Sequence, residues 1–334
     1  MTRETTTPNP LLQDWTGPYS LPPFATVQSA HFLPAFDVAL PAHLAEIDAI
    51  ANNPEPASFA NTLQALDESG RLRSRIDLLF HNLTASETSP ELQVVERQMA
   101  PRQAAHHNAI HMNAALFQRI DALHAQRADL PLDAEQLRLL ERVHLDFGRA
   151  GAKLAPEARQ RYGVVMQELA SLCAQFSQNV LADEAGYALE LENEDLAGLP
   201  PSVLAAALSA ATQRGLPEGR HVVTLSPSLA EPFLTFSARR DLRETLWRAR
   251  VARGAQGGDR DNRPVASRIM ALRQEQAFRY SVKFGGSRCP GGRKSGPLGH
   301  AGRYRDRPGR SDHRWSCGQW PLPQHRGTRC ATQA

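Results

Sequence analysis

The stretch PEARQRYGVVMQELASLCAQFSQNVLADE, residues 156–184, decides the fold class. Its apolar residues Ala158, Tyr162, Val165, Leu169, Leu172, Phe176 and Val180 recur every three or four positions, which keeps them on one face of a long helix. Pro156 suits the first turn, where a missing N–H costs nothing, and Glu157 follows it at the positive end of the helix dipole. Gly163 is the only weak helix former inside the stretch. At 1.5 Å per residue such a helix runs about 40 Å and needs partners along its whole length. The nearest in sequence is Asp133 to Gly148, where Asp133 and Gln136 spell a capping box and Leu137, Leu140, His144 and Phe147 form a second stripe. The short link Arg149 to Ala155, containing Gly151, predicts that the two fold into an antiparallel hairpin.

Helices also fill the chain before this hairpin. Residues 1–30 read as an extended, Pro-punctuated lead-in. Leu40, Leu44, Ile47 and Ile50 then form a stripe that Pro41 is predicted to kink or divide. Ser58 can cap the next helix, with Leu63 and Leu66 inward and Gly70 as its stop, and Leu72, Ile76, Leu79, Phe80 and Leu83 mark another. Ser89 and Pro90 open a longer stretch, expected to break near Pro101, that passes through Ile110, Phe117, Ile120 and Leu123. After the central hairpin the period changes. Tyr187, Leu189 and Leu191 alternate, as do positions in HVVTL at 221–225, so two short strands are predicted around an Ala-rich helix, Ser202 to Arg214, stopped at Gly215. A short helix over Leu229 to Phe236, a basic helix capped by Ser237 with Leu242, Leu246 and Ala249 inward, and a last helix from Pro264 to Ala277 complete the series. The fold class is mainly α with a small β element.

Composition bounds the function. With 334 residues, 41% hydrophobic and 22% charged, the chain is an ordinary soluble globular one of one or two domains. No run approaches eighteen apolar residues and no basic segment precedes an apolar one at the start, so a cytoplasmic enzyme is expected, with no membrane partner. Cys173 lies in the helical part, while Cys289, Cys317 and Cys330 match no common zinc or disulfide spacing. The net charge of +3 hides two compositions: residues 285–334 hold nine Arg, one Lys and two Asp, or 10 − 2 = +8, leaving 3 − 8 = −5 for the rest. Those fifty residues contain ten Gly and no Glu, Ile, Val, Met, Phe or Asn, so residues 278–334 are expected to be disordered.

Motifs for chemistry are few. His106, His107 and His111 include an i, i+4 pair that could share a helix face and bind zinc, but no H-E-x-x-H occurs in the sequence and a solvated helix face is the expectation. Asp259, Asp261 and Asn262 resemble part of a calcium loop without its fixed Gly or bidentate Glu, and read better as a turn and helix cap. The fragment GGRKSG, residues 291–296, has Arg293 where a phosphate loop requires Gly.

Three segments carry a resemblance to a known family: FANTLQALDESG (Phe59 to Gly70), AGAKLAPEARQRY (Ala150 to Tyr162) and QFSQNVLADEAG (Gln175 to Gly186). They resemble the oligopeptidase A and thimet oligopeptidase family of zinc metallopeptidases, in its bacterial peptidyl-dipeptidase (Dcp) branch, and the likeness runs from about Pro22 to Ala277. The resemblance implies helices that form one wall of a deep channel admitting short peptides, with C-terminal dipeptides released at a zinc site built from H-E-x-x-H and a downstream Glu. None of those ligands has a counterpart here. No catalytic, cofactor-binding or metal-binding residue is therefore carried over, no bound zinc is expected, and the chain alone is expected to be inactive.

The organisation expected is a lead-in over 1–30, a helical domain over 31–277 and an Arg/Gly/Pro-rich tail over 278–334. The tail has the composition that out-of-frame reading of a GC-rich gene produces. The competing reading is an evolved basic tail that holds nucleic acid non-specifically through phosphate contacts, with Trp315 and Trp320 stacking, which would make the chain a non-catalytic peptide- or nucleic-acid-binding protein.

Overall fold

The computed structural model describes residues 8–277, a succession of helices with a single two-stranded sheet. The residues ahead of the first long helix are anchored to the body. Leu11 is fully buried, the Asn9 amide donates to the His31 carbonyl at 2.8 Å, and the Arg75 guanidinium sits 4.7 Å over the Trp15 ring. Helix α1 (Phe32–Ala51) passes through Pro41 undivided, contrary to the break predicted there. Pro41 and Asp37, the residue whose carbonyl loses its donor, are both exposed, so water can take the orphaned carbonyl while Phe36, Ala39 and Leu40 hold the buried face.

Ser58 caps as predicted: its hydroxyl accepts from the Asn61 N–H, and the Asn61 side chain accepts from the Ser58 N–H. The segment that follows, Phe59–Gln64, is wound as a π-helix and runs into α2 (Ala65–Glu68). Arg119 binds this region from below, donating to the Asn53 and Glu55 carbonyls and to the Asn61 side chain. The turn at Gly70, with φ +67°, then starts α3 (Arg71–Ser86). Helix α4 (Pro90–His111), capped by Ser89, runs through Pro101 without a break. The break falls at Met112–Asn113 instead, where the Asn113 side chain accepts from Leu116 N–H and caps α5 (Ala114–Ala125). A cap outweighs an interior proline here, because it gives the backbone an alternative partner rather than only removing one.

The reciprocal capping box of Asp133 and Gln136 opens α6 (Ala134–Arg149), and α7 spans Pro156–Gly186. The predicted α6–α7 hairpin is not formed. Helix α6 packs on α5 and the π-helical segment, and α7 lies between α4 and a helix from much later in the chain. The link between α6 and α7 is turned by Gly151 (φ +100°) and tied by Arg159, whose guanidinium donates to the Met112, Ala152 and Leu154 carbonyls. That redirects α7 along α4.

Beyond α7 comes a small unit with its own core. The two strands that the alternation predicted, β1 (Leu189–Leu191) and β2 (His221–Val223), form, and they pair antiparallel with Glu190 opposite Val222. Helices α8 (Pro201–Gln213), α9 (Pro227–Phe236) and α10 (Arg240–Val251) surround them, burying Val203, Ala207, Phe233 and Leu246 together. Ser237 does not cap α10: its hydroxyl accepts from Arg239 N–H in the preceding turn, and Arg239 occupies the cap position without a side-chain bond. Helix α11 (Asn262–Gln276) returns to α7.

The contact face of α7 differs from the stripe read in sequence. Tyr162, Val165 and Leu169 are buried, but Leu172, Phe176 and Val180 are only partly so, and the buried residue of the C-terminal half is Gln178. Its amide donates to the Gln93 carbonyl and the Glu96 carboxylate on α4, while its oxygen accepts from Arg97. Replacing Gln178 by Ala removes these bonds at a helix contact and is expected to lower stability by about 1–2 kcal/mol, against roughly ±0.5 for the exposed neighbour Ser177→Ala. Equal urea midpoints for the two variants would contradict that role. Asp133→Ala, which opens the capping box, is expected to cost about 1 kcal/mol in the same measurement.

Candidate functional site

The histidines singled out in sequence occupy the last two turns of α4 and are not on a solvated face. His106 is buried, and His107 and His111 are half-buried with their rings stacked 3.8 Å apart. Helix α6 covers them, placing Phe147 4.6 Å from the His111 ring. Burial, the largest cause in each case, depresses the pKa of His107 to about 3 and of His106 to about 4, and lowers that of His111. All three are therefore neutral at pH 7.

Neutral imidazoles can bind zinc, but these do not converge. A structural or catalytic zinc site takes at least three protein donors pointing at one centre. His111 spends Nδ1 on the His107 carbonyl at 3.0 Å, and His106 turns away toward α1, with Nε2 3.0 Å from Nδ1 of His43. No group of three or more His, Cys, Asp or Glu is placed to hold a metal ion among the described residues. The zinc implied by the family resemblance does not fit the residues present.

The remaining sequence candidates serve as local ties. Asp261 accepts from the Arg263 N–H at 3.0 Å and grips the Arg263 guanidinium, which lowers its pKa, so it caps α11 as the turn-and-cap reading expected. Asn262 is buried and fully spent, donating to the Phe176 carbonyl and accepting from Asn179, both at 2.9 Å. Gly254, at φ +69°, approaches Asn262 so closely that a Cβ there would lie 2.7 Å from its amide nitrogen. Asp259 is exposed. The GGRKSG fragment, Trp315, Trp320 and the whole tail lie outside the described residues.

What the structure does assemble is a wall. Helices α4, α7 and α11 lie side by side, with α7 in the middle. Two bidentate pairs fix α11 to α7: Arg161 donates to both oxygens of Glu275 at 2.8 and 2.7 Å, and Arg268 to both of Glu168 at 2.6 and 2.9 Å. The Tyr162 phenol accepts from Gln276, and burial raises its pKa. Val94 on α4, Val164 and Leu181 on α7, and Met270 on α11 are left exposed. Such a surface can support and shape. Sequence reading missed His43, because its partner lies 63 positions away and nothing local marks a lone histidine as paired. No helix among the described residues is long and apolar enough to cross a membrane.

No protein-family model matches the chain. Curated proteins do. The chain is 38% identical over 270 residues to dipeptidyl carboxypeptidase of Salmonella typhimurium, a match covering 80% of this chain and 40% of that protein. It is 36% identical over 273 residues to dipeptidyl carboxypeptidase of Escherichia coli, covering 81% and 40%. Against oligopeptidase A of Salmonella typhimurium the identity is 31% over 274 residues, covering 80% and 39%. The chain thus spans about two fifths of the length of the curated relatives it matches. Over the matched four fifths of its own length, the chain is homologous to dipeptidyl carboxypeptidase and oligopeptidase A.

Proposed function

We propose that this chain provides the helical wall of a peptidyl-dipeptidase-type metallopeptidase, a surface that confines short peptides, and that by itself it does not hydrolyse them. One observation carries the reading: a chain homologous to these peptidases over 80% of its length contains no H-E-x-x-H anywhere in its 334 residues. Two histidines at i, i+4 with the intervening Glu are what such a mechanism needs to hold zinc and take a proton from its water. His107 and His111 have the spacing, but Asn108 follows His107 and its side chain is buried, donating to the Gly163 carbonyl. An amide so placed can neither bind zinc with them nor accept a proton. The role left to the chain is to shape the space in which a peptide lies.

The purified chain is expected to retain zinc at well under one equivalent after dialysis and to release no dipeptides from the C-termini of small peptides. Chelator-sensitive release at a rate comparable to that of an intact dipeptidyl carboxypeptidase would overturn this reading.

The wall and the small unit built on β1 and β2 both leave apolar residues uncovered. Val164, Trp247, Val251 and Met270 are all at least 47% exposed, and Trp247 and Val251 are neighbours one turn apart on α10. The chain is accordingly expected to bind the dye ANS under native conditions and to self-associate with rising concentration. A monomer with a sharp unfolding transition and no dye binding would contradict the exposure.

A further inference from the structure

On another side of α4, α1 and the turn between α2 and α3 meet it at a partly buried chain of hydrogen bonds that fixes its own proton positions. The Ser69 hydroxyl donates its single proton to the Leu66 carbonyl at 2.7 Å. In its 3.2 Å contact with His43 Nε2 it must therefore accept, so Nε2 of His43 carries the hydrogen. A neutral His43 then has a bare Nδ1, which accepts at 3.0 Å from Nε2–H of His106. The chain ends at Nδ1 of His106, a bare lone pair that is buried and meets no hydrogen-bond partner. Every other position in the chain is filled.

The surroundings hold this arrangement in place. Gly70, with φ +67°, lies so close to the His43 ring that an added Cβ would sit 2.6–2.7 Å from three of its atoms. The Gly70 N–H donates to the Glu46 carboxylate at 2.7 Å, so α1 grips the turn twice, through Glu46 and through His43.

We infer that the His43–His106 pair is an acid-sensitive latch: uptake of one proton places a buried cation with an unpaired N–H at this junction and weakens the hold of α1 and α4 on the Ser69–Gly70 turn. A proton on Nδ1 of His106 creates a buried cation with an unpaired N–H. A proton on Nδ1 of His43 sets two N–H groups against each other across 3.0 Å. The first product keeps its bond to His43, and moving the His106 hydrogen to Nδ1 relieves the second, but either way a charge and one N–H are buried without a partner. The charged groups facing the pair are Glu46 from α1, Arg73 and Asp77 from α3, and the neighbouring His107 on α4. Glu46 and Asp77 favour protonation, but Arg73 opposes it, and Asp77 is already engaged by Arg73, His81 and Gln103.

Burial accordingly lowers the pKa of His43, and that of His106 to about 4, from the ordinary 6.5. A group whose pKa is lower folded than unfolded contributes stability that is present above 6.5 and lost as pH falls toward its folded value, because the unfolded chain takes the proton first. His81 runs the other way, its pKa raised chiefly by the hydrogen bond to Asp77, and offsets part of the loss.

The test uses the full chain and its His106→Gln variant. Glutamine can still donate to His43 and, turned over, can offer an oxygen to a protonated His43, yet has no lone pair that titrates. The urea midpoint of the wild type is expected to fall between about pH 7 and about pH 5, and the variant to lose roughly a quarter or more of that fall, the remainder belonging to His43, His107, His111 and His124. Equal falls overturn the latch. If the variant does not fold, histidine-selective NMR of the wild type decides. Assigned resonances of His43 and His106 that both keep their neutral-form shifts down to about pH 5 support the latch, whereas either of the two titrating near 6.5 in the folded protein overturns it.

Discussion

The seating of α7 between α4 and α11 is the constraint on which the rest of the described chain depends. Helix α7 has 31 residues but buries few apolar side chains fully, chiefly Tyr162, Val165 and Leu169 in its first half. Each such side chain stabilises by about 1.5–3 kcal/mol, too little to position so long a helix along its whole length. Polar ties at defined heights supply the register. Arg161 and Glu168 fix α11 near the start and middle, Gln178 fixes α4 in the second half, and Asn179 and the Phe176 carbonyl hold Asn262 where α11 begins. Hydrogen bonds specify position more sharply than apolar burial does, because they fail over a few tenths of an ångström whereas burial tolerates sliding.

The same helix joins two cores. Its first half belongs with the helical body and its end with the unit built on β1 and β2, where Asp183 accepts from the Gly254 N–H and Glu184 pairs with Arg253. Because α10 leads straight into that loop, the small unit is held at both its entry and its exit by residues on the last turns of α7. The similarity to dipeptidyl carboxypeptidase and oligopeptidase A spans 80% of the chain. The histidines of α4, one buried and two half-buried, fill space between α1 and Phe147 of α6.

The sequence by itself determined the elements and several of their ends. The mainly helical class, the long helix from Pro156, the two short strands, the caps at Ser58, Ser89 and Asp133 and the stop at Gly70 follow from periodicity and from side chains acting on backbone within a few residues. The missing H-E-x-x-H was legible in the same way, since two helical zinc ligands with their base must fall within five residues. Tertiary structure alone decided which helices are neighbours. The partners of α7 are α4, earlier in the chain, and α11, roughly a hundred residues later, rather than adjacent α6, because the Arg159 ties turn the connecting link. It also decided that Pro41 and Pro101 leave their helices whole, and that His106, which read as solvated, is buried against His43. Burial is a property of what the chain brings alongside a residue, and neither its amount nor its partner is written in the residues next to it.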